Sequence, residues 1–209
     1  MKLAFIGIGN VGFAIAHTLQ QKGHEITIAT NDPNSKSVAS ALKKNENMTA
    51  KSIQDAVAWA EIVFLAVPFG AVEMVLNEID FEGKTLVDCT NPVGQGISHG
   101  LNSEISGSEK IQAWAPSAKV VKAFTIYGYE NLQDASFPNY PNKPVMLVAG
   151  DDQNAKEQLK PLIEETGYMY KDTGALDQSL HLEHMTLLWV KMVRRDGHHP
   201  NFVWSYMER

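Results

Sequence analysis

Gly7, Gly9 and Gly12, near the start of the chain, stand in the spacing G-x-G-x-x-G within Gly7-Ile8-Gly9-Asn10-Val11-Gly12. That spacing suits a dinucleotide pyrophosphate when a strand leads into it and a helix leads out. Gly7 permits the tight turn, Gly9 lets backbone approach the phosphates, and Gly12 lets the helix lie close on the strand. The diphosphate then rests on free N–H groups at the positive end of a helix. Here the apolar run Lys-Leu-Ala-Phe-Ile precedes the glycines, and Ala14, Ile15 and Leu19 follow at helical spacing before Gly23. A second apolar run at 26–29 completes a βαβ unit.

The residues after that second run bear on which dinucleotide is held. An NAD site normally carries an acid there, about 20 residues beyond the glycines, to accept from the ribose 2′-hydroxyl. Counting places Thr30 and Asn31 at that point, and neither would repel a 2′-phosphate. Ser35 and Lys36 follow, a hydroxyl and an ammonium that suit a phosphate dianion. Asp32 leaves an alternative open, since turned inward it would take the 2′-hydroxyl instead. The electrostatics favour NADP.

Two further strand ends belong to the same crevice. The run at 62–67 closes on Val67-Pro68-Phe69, where Pro68 stops the ladder and Phe69 is placed to lie against the nicotinamide ribose or ring. The run at 85–88 leads through Cys89 and Thr90 to Asn91-Pro92-Val93, where the Asn91 amide offers both donors and an acceptor. Ligands of open α/β sheets lie outside such carboxyl ends.

The elements that must position these residues alternate. Strand-like runs at 3–6, 26–29, 62–67, 85–88, 120–124 and 145–149 are separated by helical patterns at 11–22, 36–44, 52–58 and 71–79. This predicts an α/β fold with a Rossmann-type, doubly wound, mostly parallel sheet. Residues 94–107 and 127–143 read as loops, the first followed by a short helix around 109–114. A helix at 152–165, a strand at 168–171 and a closing helix at 176–194 form a small C-terminal α/β tail packed on the first domain. The expected division is 1–143 and 144–209.

With 209 residues and a net charge of −6, the chain can bury a full core and has no basic run for nucleic acid. It lacks the roughly 18 consecutive apolar residues of a membrane span and any signal-peptide pattern. Its single cysteine, Cys89, excludes an internal disulfide and fits a reducing cytoplasm. At a strand end Cys89 reads as a packed thiol rather than a nucleophile.

At this point the chain resembles a known family. I-G-I-G-N-V-G at 6–12, G-H-E-I-T-I-A-T at 23–30, A-V-P-F at 66–69 and D-C-T-N-P-V at 88–93 are similar to the NADPH-dependent coenzyme F420 reductases. V-V-K-A-F-T at 120–125, V-A-G-D-D at 148–152 and D-T-G-A-L at 172–176 extend the likeness into the tail. The cytosolic oxidoreductase domains of membrane ferric reductases are similar too. The resemblance implies NADP lying across Ile8–Val11, Thr30, Asn31, Ser35, Lys36, Phe69 and Asn91–Val93. It also implies a flavin or deazaflavin, such as coenzyme F420, as the second redox partner. Asn31-Asp32 stand where such proteins often carry Ser-Arg or Arg, and Leu180 where they carry Arg.

The expected chemistry is hydride transfer between NADP(H) and a planar, small-molecule redox acceptor. The cofactors carry such chemistry, so no catalytic side chain is assigned. His181 and His184 share a helix face and His198 and His199 lie near the chain end, but a third ligand is lacking and no metal site is expected. Trp204 and Tyr206 would either wall a ring pocket or dock the terminus, and such an aromatic end suits a homodimer. The alternatives are an NADP-dependent reductase of a small metabolite, with Lys122 as proton donor, and a non-catalytic NADP sensor.

Overall fold

Near-continuous apolar runs become central parallel strands because both faces of such a strand must be covered. The computed structural model describes residues 1–77 and 79–209. Strands β1 (Lys2–Ile6), β4 (Ile62–Leu65) and β5 (Thr85–Asp88) are buried along essentially their whole length. Side chains alternate between the faces. Leu3 and Phe5 enter one core with Ile15, Leu19, Phe64 and Leu159, while Ala4 and Ile6 enter the other with Val57, Val63, Leu76 and Ile111. Phe5 is paired with Phe64 across β1 and β4, and their rings stack 4.6 Å apart.

Strands β2 (Glu25–Ala29), β3 (Thr49–Lys51), β8 (Lys119–Lys122), β9 (Val145–Gly150) and β10 (Met169–Asp172) complete one eight-stranded sheet. Its order is β10-β9-β8-β5-β4-β1-β2-β3, parallel except where β9 runs antiparallel to β8. The expected doubly wound α/β sheet is therefore present. The C-terminal tail adds β9 and β10 to the same sheet. The chain winds outward from β1 to β3 and then returns to β4, so the winding reverses between β1 and β4. Ligands of such sheets bind outside the strand ends at that reversal.

The covering helices are α1 (Asn10–Gln21), α2 (Lys36–Lys44), α3 (Ile53–Trp59), α4 (Val72–Leu76), α5 (Gly107–Trp114), α6 (Tyr129–Gln133), α7 (Gln153–Glu165) and α8 (Ser179–Val190). Several differ from the sequence reading. The helix expected at 71–79 is a 3-10 turn at Phe69–Ala71 followed by α4, and Glu78 lies outside the described residues. A small hairpin, β6 (Val93–Gly94) with β7 (Ser98–His99), occupies part of the loop at 94–107. Helix α6 lies in the stretch read as irregular, and β3 was not expected. All three are too short for hydrophobic period to show. The closing helix has a 3-10 turn at its start, Leu176–Gln178, and a π-helical end, Lys191–Arg195. The strand expected to reach 124 stops at Lys122 because Phe124 turns into the left-handed region, with φ 59°.

Candidate functional site

Local sterics decide the glycine turn. Gly7 has φ 97°, and a Cβ there would lie 2.6 Å from the Ala66 carbonyl and 2.8 Å from Val67 Cγ1. The turn is thus wedged against the end of β4. A Cβ on Gly12 would collide with the Gly7 carbonyl oxygen, so α1 can start this close only with glycine there. Gly9 differs from both. Its φ of −70° suits any residue, and a Cβ there would meet nothing within 4 Å. Packing makes no steric demand for glycine at this position, and the space beside it is open. Gly9 also caps α1 without a side-chain acceptor, leaving the helix start open to an anion.

Two adjoining clefts flank this turn. The first, about 310 Å³, is lined by Gly7, Ile8, Thr30, Asn31, Asp32, Ser35, Ser37 and Val67 among others. The second, about 150 Å³, is lined by Ile8, Gly9, Asn10, Phe13, Ser37, Ser40, Ala41, Lys44 and Gln133. Most expected contacts of the adenosine and phosphates therefore converge. Lys36 is exposed and lines neither cleft, while Ser37 lines both. Ser37, Ser40, Ala41 and Lys44 stand at i, i+3, i+4 and i+7, one face of α2. That spacing is visible in the sequence, and it is the signal that would have found them. Asp32 is held in a local turn: its Oδ1 accepts from Asn34 N–H at 3.1 Å, and its own N–H donates to Thr30 Oγ1 at 3.0 Å. Larger cavities, about 480 and 450 Å³, lie around the 134–144 segment, away from the turn.

Along the strand ends, Phe69 is half-buried, tilted against Trp114 at 6.0 Å between ring centres, and close to Gly107. Pro68 and Val93 are exposed and Pro92 is buried. The turn at Asn91-Pro92-Val93 is fixed by Gly100 N–H donating to Pro92 O at 2.6 Å and Val93 N–H donating to Asn91 O at 2.9 Å. Asn91 Oδ1 is buried without a hydrogen-bond partner. Buried acceptors are seldom left so.

Beneath this turn lies a charge cluster that sequence reasoning missed apart from Lys122. Lys122 is fully buried, and its ammonium donates to Asp88 Oδ2 at 2.9 Å, Thr90 O at 2.6 Å and Glu183 Oε1 at 3.0 Å. Burial opposes the charge, but the carboxylates of Asp88 and Glu183 outweigh it and hold the ammonium above the usual lysine range. With all three donors spent, Lys122 has none to offer a substrate. Glu183 Oε2 accepts from His99 Nε2 at 2.8 Å, and Gly107 N–H donates to the same carboxylate at 2.9 Å. His99 Nδ1 accepts from Ser103 N–H at 3.1 Å, which assigns the Nε2–H tautomer. Ser108 Oγ donates to Asp88 Oδ2 at 2.6 Å. The partners come from β5, β7, β8, α5 and α8, so no local pattern announces them.

The remaining candidates fall elsewhere. Cys89 is buried, and burial pushes its thiol well up, as fits a packed side chain. His184 stacks on His99 with 5.4 Å between rings, and no metal-binding group of three His, Cys, Asp or Glu is present among the described residues. Trp204 packs against the core and its carbonyl accepts from Val145 N–H at 2.9 Å, while Tyr206 lies under Lys171. Both dock the terminus. Among the described residues no helix is long and apolar enough to cross a membrane.

Residues 2–92 match the family described as NADP oxidoreductase, coenzyme F420-dependent. A crystal structure from Arthrobacter sp. FB24, of a candidate F420-dependent NADP-reductase, is 26% identical, superposes with a TM-score of 0.82 and covers 100% of both chains. Rat metalloreductase STEAP3 is 26% identical over 89% of this chain and 36% of its own length. Pyrroline-5-carboxylate reductase 2 of Pongo abelii is 28% identical over 60% of this chain and 38% of its own. The chain spans less than half the length of these two relatives. A reductive aminase from Aspergillus terreus, solved with NADPH and ethyl levulinate, shares the fold at a TM-score of 0.66 and 18% identity, covering 92% of this chain and 61% of its own. Residues 2–92 are thus similar to the NADP oxidoreductases of the coenzyme F420-dependent type, and along its whole length the chain is similar to the Arthrobacter structure.

Proposed function

We propose that the chain holds NADP(H) across the crevice and passes hydride between it and a flavin- or deazaflavin-type ring such as coenzyme F420. One observation carries the nucleotide site: Gly7 and Gly12 are required by the protein's own packing, whereas Gly9 faces open space at a helix start. The buried, unpartnered Asn91 Oδ1 at the neighbouring strand end fits a ligand with an amide donor. When bound, the nicotinamide supplies or accepts the hydride. The chain's part is to hold the diphosphate on the α1 amides, to fix the ring beside Phe69 and Asn91, and to keep water away.

The phosphorylated coenzyme is favoured because Thr30 and Asn31 are uncharged and the hydroxyl-bearing Ser35 and Ser37 line the cleft. Asp32, tied into its own turn, is the opposing feature. The flavin-like acceptor rests on the family match at 2–92 and on the Arthrobacter structure. A metabolite reductase with Lys122 as acid is disfavoured, since that ammonium is enclosed by three acceptors. Calorimetric titration with NADPH and NADH, followed by turnover with free flavins, deazaflavin, ferric chelates and quinones, tests the reading. Tight NADPH binding with turnover of a flavin or deazaflavin is expected. Binding without turnover of any acceptor would leave a sensor, and no binding would remove the proposal.

A further inference from the structure

Thr90 is held from both sides. Asp88 Oδ1 accepts from the Thr90 N–H at 2.8 Å and from its hydroxyl at 2.7 Å, while Lys122 Nζ donates to the Thr90 carbonyl at 2.6 Å. All three residues are buried, Thr90 at 3% exposure and the other two at 0%. The Thr90 carbonyl belongs to the peptide plane that carries the Asn91 N–H, so clamping it fixes the direction in which Asn91 leaves the strand. On the other side, Val93 N–H donates to the Asn91 carbonyl at 2.9 Å and holds the Asn91–Pro92 peptide. Asn91 is thus the one residue of the turn with held peptides on both sides and a buried side-chain acceptor, Oδ1, left without a partner. Leaving a buried acceptor empty is costly, and a rigid mount is what a specific contact needs.

We infer that Asn91 Oδ1 is the acceptor for the carboxamide NH₂ of the nicotinamide, and that Lys122 is a positioning residue that holds it there through the Thr90 carbonyl. This rests on the nucleotide reading above and adds a role to the buried ammonium, which touches no ligand itself. The arrangement also accounts for Asp88 and Glu183: they neutralise and orient the lysine, and Glu183 secures it to α5 and α8.

The test compares three ligands by equilibrium titration, with no turnover involved: NADP⁺, its 3-acetylpyridine analogue, in which a methyl replaces the NH₂, and 2′-phospho-ADP-ribose, which lacks the ring. The unsubstituted protein should bind the analogue roughly three- to tenfold more weakly than NADP⁺, the effect of one hydrogen bond. Asn91→Ala should weaken NADP⁺ to the level of the analogue and leave 2′-phospho-ADP-ribose unchanged. Lys122→Met and the milder Asp88→Asn should shrink the same gap, again sparing 2′-phospho-ADP-ribose; the second variant serves if the first fails to fold. A merely structural lysine would weaken all three ligands together. Should 2′-phospho-ADP-ribose itself fail to bind, the nucleotide reading falls. If it binds while the protein does not discriminate NADP⁺ from its analogue, or Asn91→Ala keeps the discrimination, the role of Asn91 is overturned. If only Asn91→Ala closes the gap, the clamp is overturned.

Discussion

At the scale of single residues, the glycines separate folding from binding. Gly12→Ala forces a methyl onto the Gly7 carbonyl, an overpacking that should cost about 1–3 kcal/mol in denaturant unfolding. Gly9→Ala adds a methyl to empty space at an ordinary φ, so stability should change by less than about 1 kcal/mol. NADPH affinity should nevertheless fall about tenfold or more, because that methyl enters the volume assigned to the diphosphate. Unchanged affinity in Gly9→Ala would remove the pyrophosphate from this turn. The coenzyme's extra phosphate has its own check. Lys36 is exposed at the start of α2, beside Ser35 and Ser37 of the cleft, so Lys36→Glu should weaken NADPH far more than NADH. Equal weakening of the two would dispose of the electrostatic argument. The glycine motif was legible because its spacing is local. Ser37 and Lys44 were not singled out, since attention fell on the loop before α2 rather than on the face α2 presents.

At the scale of elements, the feature of consequence is the junction of β5, β8, α5 and α8. Ser106 forms a capping box with Glu109, so α5 already has a local start signal. Glu183 adds a carboxylate from a distant helix, accepting the Gly107 N–H at the end where the helix dipole favours an anion. The same carboxylate holds His99 and hence the hairpin β6–β7. Glu183→Gln keeps the shape but removes the charge opposite Lys122 and loses charge-assisted acceptance from Gly107 and His99. Amide hydrogen exchange should therefore accelerate across residues 98–109 while β1, α1 and β2 keep their protection. Uniform acceleration would mean that Glu183 supports the whole core instead. Apart from Lys122 and the short helix α5, this junction was not readable beforehand. Asp88, His99, Lys122 and Glu183 are far apart in sequence, and only the strand order brings them together. Phe124 belongs here too: an aromatic residue at φ 59° is strained, by about 1–3 kcal/mol, just where β8 leaves the sheet.

At the scale of the whole molecule, the sheet was legible for a simple reason. Each central strand is a contiguous apolar run, and each crossover is long enough to carry a helical period. What escaped were pieces of two to five residues, β3, β6, β7 and α6, whose placement comes from tertiary contacts. The folded interior also sets a pH limit. Burial raises the Cys89 thiol and the phenols of Tyr127 and Tyr168, and the carboxylates around Lys122 raise its ammonium. In the unfolded chain these groups lose protons near about 8.5 for cysteine, 10 for tyrosine and 10.4 for lysine. The folded state keeps its protons longer in every case, so the unfolded state binds fewer protons as pH rises and stability must fall. The contributions are complete below those unfolded values and are lost above them, Cys89 first. Urea midpoints measured from pH 7 to 11 should stay level to about pH 8.5 and then decline, each group adding at most about 1.4 kcal/mol per pH unit. Cys89→Ala removes the earliest of these groups, so its decline should begin about a unit and a half later, although a small cavity lowers its midpoint at pH 7. An identical onset in the variant would show that the thiol titrates alike in the folded and unfolded chains, and would overturn this account of the pH limit.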